Sequence, residues 1–536
     1  MTTRFVLLAA LAAVRVCGQA TGSSAVSGSV HDASGAAVAG AQVILTENAR
    51  NLDRASMTNE AGLFVFPTVP SGAFSIKVTK EGFEAYQLRE LTVEIGQRVA
   101  LDVTLKLGDV TTVVDVKGGD LPLLQTESNT IGTVVDSARV EELPLNGRNF
   151  LQLALLAAGS NETPGRANTA GQSGHSGRSI AIAGNQGNQT GYLVNGIAAR
   201  GTRLGELTLN LSLASIQEFK VQQSFFMPDQ GPNPGLVNVT TKGGGNSFHG
   251  QAFEFVRNEV FDARSFFAPG PEKLHRNQFG AALGGPVVRN RLWFHGNFEI
   301  QRDINAFVRR TYTPTQAMFA GDLREVPRPI HDPETFSAQT GTRTPFAGNV
   351  IPASRLNPVS QRLLKYYRPG SSILERPANL SLNPRDTANE DQWGVRIDAS
   401  LTARQTLFGQ FITVDSPIVN AGLFPLSGAF YPNSMTMAMV QHTFALRPNV
   451  VSTLRAGFAR NLTFFSNEGK TAGSILREVG ITNTLDHRGI TAIGLQEYAG
   501  FGRANGDLGN IDNLYQLDQG TNYVRGRHNF QFGTGI

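Results

Sequence analysis

The sequence predicts a mainly β protein that contains the first part of an antiparallel transmembrane β-barrel, and three observations predict this fold class. The chain has 536 residues, of which 58 are glycine and 33 are phenylalanine, a composition typical of strands joined by many turns, with aromatic side chains facing lipid. Apolar and polar residues alternate from about residue 246 onwards. No later segment approaches the ~20 apolar residues that a membrane-spanning helix needs, so we expect any membrane insertion to use strands.

Residues 1–20 have the pattern of a signal peptide. Arg4 is followed by the uncharged apolar run Phe5–Val14, and small residues precede the expected cleavage after Ala20. The single cysteine, Cys17, lies in the removed segment, so the mature chain is expected to use neither disulfides nor thiol chemistry. The formal net charge is only +4 without a basic cluster, and we therefore expect no nucleic-acid partner.

Residues 21–107 are predicted to form a β-sandwich, because short apolar alternations are separated by turn signals at roughly 8–12-residue spacing. The segment resembles the carboxypeptidase regulatory-like domain, and this resemblance implies an accessory module with a carbohydrate-binding-like fold. A structural role is favoured over sugar binding, since this segment has no tryptophan and Tyr86 is its only tyrosine. The matching positions are Gly28, Asp32, Gly35, Val38, Gly40, Ala41, Gly62, Phe64, Pro70, Gly72, Gly82 and Phe83.

Residues 108–119 form a short linker with an extended core of Thr112, Val113, Val114, Asp115 and Val116. This core resembles a TonB box, the segment by which an energy-coupling protein of the inner membrane grips a receptor. A segment that favours the extended conformation but belongs to no sheet can pair with the exposed edge strand of another sheet through main-chain hydrogen bonds. The alternative is that these residues are the last strand of the sandwich.

Residues 120–243 are expected to form a small α/β domain. Leu151–Ala158 is predicted to be a short buried helix, Asn161–Gly177 a mobile loop, and Ser179–Ala183 and Ile216–Val221 strands.

Three segments, Tyr192–Gly196, Ser215–Val221 and Val237–Gly250, resemble the plug-to-barrel junction of TonB-dependent outer-membrane receptors, in particular the Oar-like branch. Val140–Phe150 resembles the opening of the plug in the same branch. Asn195 stands where the family usually has aspartate. The resemblance implies that residues 120–243 are a receptor plug.

Residues 244–536 show the alternation of transmembrane barrel strands. Leu292, Phe294, Phe298 and Ile300 share one face, and Trp293, His295, Asn297, Glu299 and Gln301 share the other. Trp393–Leu401 and Phe279–Leu283 alternate likewise. Within the long stretch 303–390, Pro345–Leu356 resembles an extracellular loop of Oar-like receptors. About nine strands are expected, whereas plugged transporters use about 22, so we expect a C-terminally truncated, partial barrel that does not close.

Sites for catalysis, cofactors or metals are not expected. The nine histidines are scattered and form no HExxH motif, no GxSxG elbow is present, and the glycine clusters lack the Lys-Ser/Thr of a phosphate loop.

The sequence therefore predicts a non-enzymatic, TonB-dependent receptor that binds a surface ligand and moves it through a plugged barrel. Its expected partners are a TonB-type protein, outer-membrane lipid and a transported ligand that the sequence does not identify. The expected location is the outer membrane, with the N-terminal domain in the periplasm. The alternative is a secreted or surface-anchored adhesion or glycan-binding protein built from β-sandwich modules.

Overall fold

The computed structural model of the chain describes residues 24–108, 113–116, 131–143, 145–162, 179–202, 205, 207–224, 233–264, 266, 273–306, 308–374, 377–482, 489–503, 508–526 and 528–536. The predicted signal peptide with Cys17, Thr112 of the linker and most of the predicted loop Asn161–Gly177 lie outside the described residues.

Strands dominate the described residues, and the prediction of a mainly β fold is confirmed. The helices are α1 (Ser137–Glu142), α2 (Leu151–Ala154), α3 (Gln316–Phe319), α4 (Pro358–Leu364) and α5 (Ile475–Glu478). The strands are β1 (Ser24–Asp32), β2 (Gln42–Glu47), β3 (Leu52–Met57), β4 (Leu63–Val69), β5 (Gly72–Thr79), β6 (Ala85–Val93), β7 (Arg98–Leu105), β8 (Val113–Val116), β9 (Ile131–Asp136), β10 (Ser160–Glu162), β11 (Ile180–Ile182), β12 (Thr190–Val194), β13 (Ile197–Ala198), β14 (Ile216–Ser224), β15 (Gly235–Thr241), β16 (His249–Asn258), β17 (Lys273–Val288), β18 (Leu292–Ala306), β19 (Arg309–Thr311), β20 (Leu380–Leu382), β21 (Arg385–Thr402), β22 (Gln405–Asn420), β23 (Ala429–Arg447), β24 (Val450–Asn467), β25 (Leu508–Arg525) and β26 (His528–Gly535).

The N-terminal domain is a sandwich of two sheets, in the orders β4-β1-β7 and β3-β2-β5-β6-β8. Alternate residues of its strands are buried, as in β7, where Val99, Leu101, Val103 and Leu105 face inward. These side chains join one hydrophobic core with residues of the other sheet. The period-two pattern of the sequence thus places the core between the sheets.

The central α/β domain (residues 131–241) has a five-stranded sheet in the order β13-β12-β15-β14-β9. Strands β12 and β15 run parallel, whereas β14 is antiparallel to both of its neighbours. The strands predicted at Ser179–Ala183 and Ile216–Val221 correspond to β11 and β14. The helix predicted at Leu151–Ala158 is shorter, since α2 ends at Ala154 and Leu156 is exposed.

The third unit is a nine-stranded antiparallel sheet in the order β16-β17-β18-β21-β22-β23-β24-β25-β26, in which β16 and β26 are the edges among the described residues. Its faces follow the predicted alternation on β18 and β21. Trp393, Val395 and Ile397 are exposed on the outer face, while Gln392 and Asp398 are buried on the inner face. Among the described residues, no helix is both long enough and apolar enough to cross a membrane.

The inner face of the sheet is not uniformly polar. Met435, Met437 and Met439 of β23 face inward and join the hydrophobic core of the central domain, together with Ile412 and Val414 of β22. Part of the sheet therefore packs on the central domain through apolar contacts, where the predicted alternation would place polar side chains.

Candidate functional site at the domain junction

All three units meet at the junction segment (residues 241–246), which connects β15 to the nine-stranded sheet. The segment contains three consecutive glycines and passes close to β18. A Cβ atom on Gly244 would lie 2.8 Å from both the backbone nitrogen of Phe294 and the Cβ of Trp293. The backbone of a paired strand cannot move to make room, so glycine is required there for the chain to enter the nine-stranded sheet.

The turn between β2 and β3 in the N-terminal domain supplies the main contact to this segment through Arg50. Its Nε donates a hydrogen bond to the carbonyl oxygen of Gly244 at 2.9 Å, and its Nη2 lies 3.1 Å from a carboxylate oxygen of Asp398. The guanidinium also stacks on Trp293, 5.2 Å from the ring centroid. Burial alone would lower the pKa of Arg50, but the carboxylates of Asp398 and Glu47 outweigh this effect and raise it.

Asp398 of β21 connects the same contact to the nine-stranded sheet and to the end of β15. Arg396 binds the Asp398 carboxylate with two hydrogen bonds of 3.0 and 2.9 Å. It also donates to the carbonyl oxygen of Thr241 at 2.8 Å. One carboxylate thus binds two arginines, one from the N-terminal domain and one from the nine-stranded sheet.

Asn246 is the last residue of the junction segment and contacts both the N-terminal domain and the nine-stranded sheet. Its backbone N–H donates to the carbonyl oxygen of Ala49 at 2.8 Å, and its side-chain amide donates to the carbonyl oxygen of Arg50 at 2.7 Å. Its Oδ1 accepts from the indole nitrogen of Trp293 at 2.9 Å. The first residues of the barrel segment are therefore held by main-chain and side-chain bonds from the N-terminal domain.

Asn195, where the family usually has aspartate, lies in the turn between β12 and β13 with a φ of 46°. Its Oδ1 accepts from the backbone N–H of Thr241 at 3.1 Å, and its amide donates to Thr241 Oγ1 at 2.7 Å and to Gln410. Asparagine tolerates this left-handed conformation better than most residues. The amide makes donor contacts that an ionised carboxylate would lack.

The N-terminal domain also covers one face of strand β14. Phe219 and Val221 point into the central core, whereas Glu218 and Lys220 on the opposite face are only 7% and 5% exposed. Burial raises the pKa of Glu218 to about 7; a hydrogen bond from Ser71 opposes this shift, and nearby Glu94 adds to it. Burial also lowers the pKa of Lys220, against the effect of the neighbouring carboxylates. Two charged side chains are thus buried between domains.

Polar contacts also hold the central domain to the inner faces of β18 and β21 in the nine-stranded sheet. Ser212 donates to Glu299 at 2.5 Å, and Asn210 donates to Glu390 at 2.7 Å. Arg148 lies 3.6 Å from Glu299. The central domain is therefore fixed by hydrogen bonds on one side and by the apolar residues of β22 and β23 on the other.

Of the residues predicted to contact TonB, Thr112 lies outside the described residues, and Val113–Val116 belong to the N-terminal domain and take part in none of the contacts above. Val113–Val116 form β8, which pairs in parallel with β6 at the edge of the sandwich sheet, in register Ala85 with Val113. Among the described residues, no group of three or more histidine, cysteine, aspartate or glutamate side chains is arranged to hold a metal ion. Sequence reasoning missed Arg50 and Asp398, since single charged residues in a turn and on a strand carry no signal of an interdomain contact. The charges at 218 and 220, which alternate with core residues, indicate a solvent-exposed face by themselves, so their burial could not be predicted from the sequence either.

Comparison with known proteins gives matches to both ends of the chain. The model of the outer membrane β-barrel domain family matches residues 240–536, and that of the carboxypeptidase regulatory-like domain matches residues 25–106. The TonB-dependent transporter Oar of Myxococcus xanthus is 26% identical over 296 residues, which cover 52% of this chain and 26% of that protein.

Similar solved structures include a transporter and a siderophore receptor. The outer membrane transporter YddB from Escherichia coli has a TM-score of 0.47 and 11% identity, covering 75% of this chain and 47% of that chain. The siderophore receptor PirA from Acinetobacter baumannii has a TM-score of 0.42 and 14% identity, with the same coverage of 75% and 47%. This chain spans about a quarter of the length of Oar and about half that of either solved structure. Because the barrel family model covers more than half of the residues, the chain belongs to the outer membrane β-barrel domain family.

Proposed function

We propose that the chain works in a TonB-dependent receptor of the outer membrane, in which the central domain is the plug of the barrel. The main observation that supports this proposal is that the central domain packs against the inner face of the nine-stranded sheet. Ser212 and Asn210 bond to carboxylates of β18 and β21, and the glycine-rich junction leads directly into β16. A domain tethered and bonded in this way obstructs the barrel lumen until its contacts are broken.

The proposed mechanism starts at the linker. A TonB-type protein of the inner membrane pairs with residues 112–116, and its pull, driven by the proton motive force, rearranges the plug. Within the part of the chain that the structure describes, β8 lies at the edge of its sheet and pairs with one neighbour, β6. An edge strand can exchange its partner through main-chain hydrogen bonds, which is the chemistry that such coupling requires. The N-terminal domain then lies in the periplasm, beside the plug face that carries Glu218 and Lys220.

The ligand is bound at the cell surface, where the plug and the outer loops meet, and its identity stays open. We assign no enzymatic activity to the chain. The alternative of a secreted adhesion protein needs neither an exposed apolar face on the barrel sheet nor a domain seated against the other face.

Site-specific cross-linking tests the proposal. Cys17 is the only cysteine and lies in the predicted signal peptide, so Val114→Cys gives a single-cysteine protein. In cells carrying a TonB with a cysteine in its periplasmic domain, we expect a disulfide-linked complex with this variant. Glu60→Cys, at an exposed turn of the same domain, is the matched control and should give none. Equal cross-linking of both variants, or of neither, would contradict the assignment of residues 112–116, and a deletion of 111–116 that leaves uptake intact would contradict energy coupling through this segment.

A further inference from the structure

The turns at one end of the nine-stranded sheet contain arginines, or follow directly after one, without acidic neighbours. These turns connect β17 to β18, β21 to β22, β23 to β24 and β25 to β26, and their sequences contain neither aspartate nor glutamate. The arginine side chains are exposed, and within the described residues none of them takes part in an ion pair. We call them the turn arginines: Arg289, Arg291, Arg404, Arg447 and Arg525.

Arginines at the opposite end of the sheet and in its long loops behave differently. Many of them form an ion pair with a carboxylate of the same chain. Unpaired exposed arginines are therefore not a general feature of this protein. The ion pairs are Arg302–Asp391, Arg309–Asp386, Arg324–Asp322, Arg328–Glu497 and Arg355–Asp332. The turn end of the sheet therefore has an uncompensated positive charge.

The N-terminal domain does not supply the missing negative charge. A groove of about 1420 Å³ separates its β4-β1-β7 sheet from three of the turns, and the sandwich wall of this groove carries Arg54 and Arg98. Asp53 and Asp102 line the same wall, so its two positive and two negative charges balance and leave none to neutralise Arg404, Arg447 and Arg525. The groove therefore has a net positive charge, which comes from the turns, and this charge favours an anionic occupant.

The neighbourhood of the turn arginines points to lipid as that occupant. Val288, Leu401, Leu446 and Phe530 lie within a few residues of the turns and are each about half exposed, at 50%, 46%, 46% and 49%. They continue the apolar outer face of the sheet, so the guanidinium groups stand where that face ends. Guanidinium binds phosphate oxygens through paired, charge-assisted hydrogen bonds.

We propose that the turn arginines bind the phosphate groups of anionic phospholipids in the membrane leaflet that adjoins these turns. This inference rests on the proposed position of the sheet in the outer membrane, and it adds a lipid class and the residues that recognise it. An acidic polypeptide would match the charge as well, but it would not account for the exposed apolar residues beside each turn.

Lipid titration of the purified full chain tests the proposal. The protein is delipidated in a neutral detergent, and binding of phosphatidylglycerol and of phosphatidylethanolamine with the same acyl chains is followed by native mass spectrometry. We expect phosphatidylglycerol to bind at least tenfold more tightly, with a preference that weakens at high salt. Replacing Arg404, Arg447 and Arg525 by glutamine should weaken phosphatidylglycerol binding on the order of 100-fold, since each arginine near an anionic surface contributes roughly a fivefold factor.

Two variants keep the result interpretable. Arg310→Gln, Arg343→Gln and Arg368→Gln together remove three exposed arginines from the long connection at the opposite end of the sheet and should leave binding unchanged. The corresponding triple lysine variant keeps the charge of the turns and should retain most of the preference. Equal affinity for both lipids, or equal losses in the two triple glutamine variants, would overturn the inference.

Competition with polyglutamate separates the two anionic occupants. Lipid binding that survives an excess of polyglutamate supports the proposal, whereas tight polyglutamate binding without discrimination between the lipids overturns it. Failure of this inference would leave the cross-linking of Val114→Cys to TonB unaffected, so it can be told apart from failure of the proposed receptor function.

Discussion

Replacing Arg50 by methionine should release the N-terminal domain from the domain junction. Methionine fills a similar volume but can neither bond to the Gly244 carbonyl oxygen nor pair with Asp398. The variant therefore removes the charged contacts and leaves the backbone of the turn unchanged. Because Arg50 is only 15% exposed in its side chain, solvent screens these contacts weakly.

The magnitude follows from the contacts that are lost. Removing one partner of a buried ion pair costs about 3–5 kcal/mol when the other charge is left alone. Asp398 is not left alone, because Arg396 still binds it through two hydrogen bonds. We therefore expect a cost of about 2–3 kcal/mol, within the range measured for hydrogen bonds to charged groups. At 1.36 kcal/mol per factor of ten, this loss raises the undocked population roughly 30- to 150-fold.

The backbone N–H of Asn246 reports this population directly, because it donates to Ala49 of the N-terminal domain. Hydrogen-exchange mass spectrometry of a peptide that spans residues 241–246 should show a 30- to 150-fold faster exchange in Arg50→Met. Peptides from the sandwich core around Ile76 should exchange as in the wild type, since the change breaks docking and not the domain itself.

Lys77→Met is the matched control, because it removes an exposed cation from the same domain. It should leave exchange at residues 241–246 unchanged. Wild-type exchange in Arg50→Met, or the same acceleration in both variants, would refute the role of Arg50 in docking.

Three further predictions follow from the site. Glu218 has a pKa of about 7 in the docked state against an ordinary 4.5. Its contribution to docking is therefore fully present below about pH 4.5 and is lost as the pH rises through 7. Glu218→Gln should abolish this pH dependence in hydrogen exchange measured from pH 5 to 8 and corrected for the intrinsic exchange rate. Gly244→Ala should destabilise the fold by about 1–3 kcal/mol through overpacking, measured by denaturant unfolding, whereas Gly494→Ala, where an added Cβ meets nothing within 4 Å, should be neutral. Asn195→Asp should cost about 1–2 kcal/mol in the same assay, because the donors to Thr241 and Gln410 are lost; unchanged stability would contradict the role given to the amide.

The period-two alternation in the sequence predicts the positions of the strands well. It predicts less well what the side chains of those strands contact. Leu292–Gln301 and Trp393–Leu401 alternate strictly, and because successive side chains on a strand point to opposite faces, both the strands and their faces follow from the pattern. On β23 the inward positions are methionines, and nothing in a period-two pattern tells whether an inward residue meets water or the central domain. Tertiary packing decides that point.

The contacts between domains were the least predictable part. Arg50 and Asp398 are 348 positions apart, and each is an ordinary charged residue in its local sequence. The resemblance to a receptor junction correctly directed attention to residues 237–250, but it did not indicate that a turn of the N-terminal domain bonds to them. Val113–Val116 illustrate a further limit: an extended segment of this composition suits a sheet edge and a partner strand equally, so local sequence leaves both roles open.

Spin-label accessibility along β21 in native outer membranes tests the placement of the sheet most directly. Single cysteines at positions 392 to 398 are labelled in turn, and collision with oxygen, which concentrates in lipid, is compared with collision with a water-soluble nickel complex. We predict high oxygen and low nickel accessibility at Trp393, Val395 and Ile397, and low oxygen accessibility at Gln392, Arg396 and Asp398. Nickel accessibility at all the outer positions, or a profile without the period of two, would contradict the assignment of this sheet to the membrane.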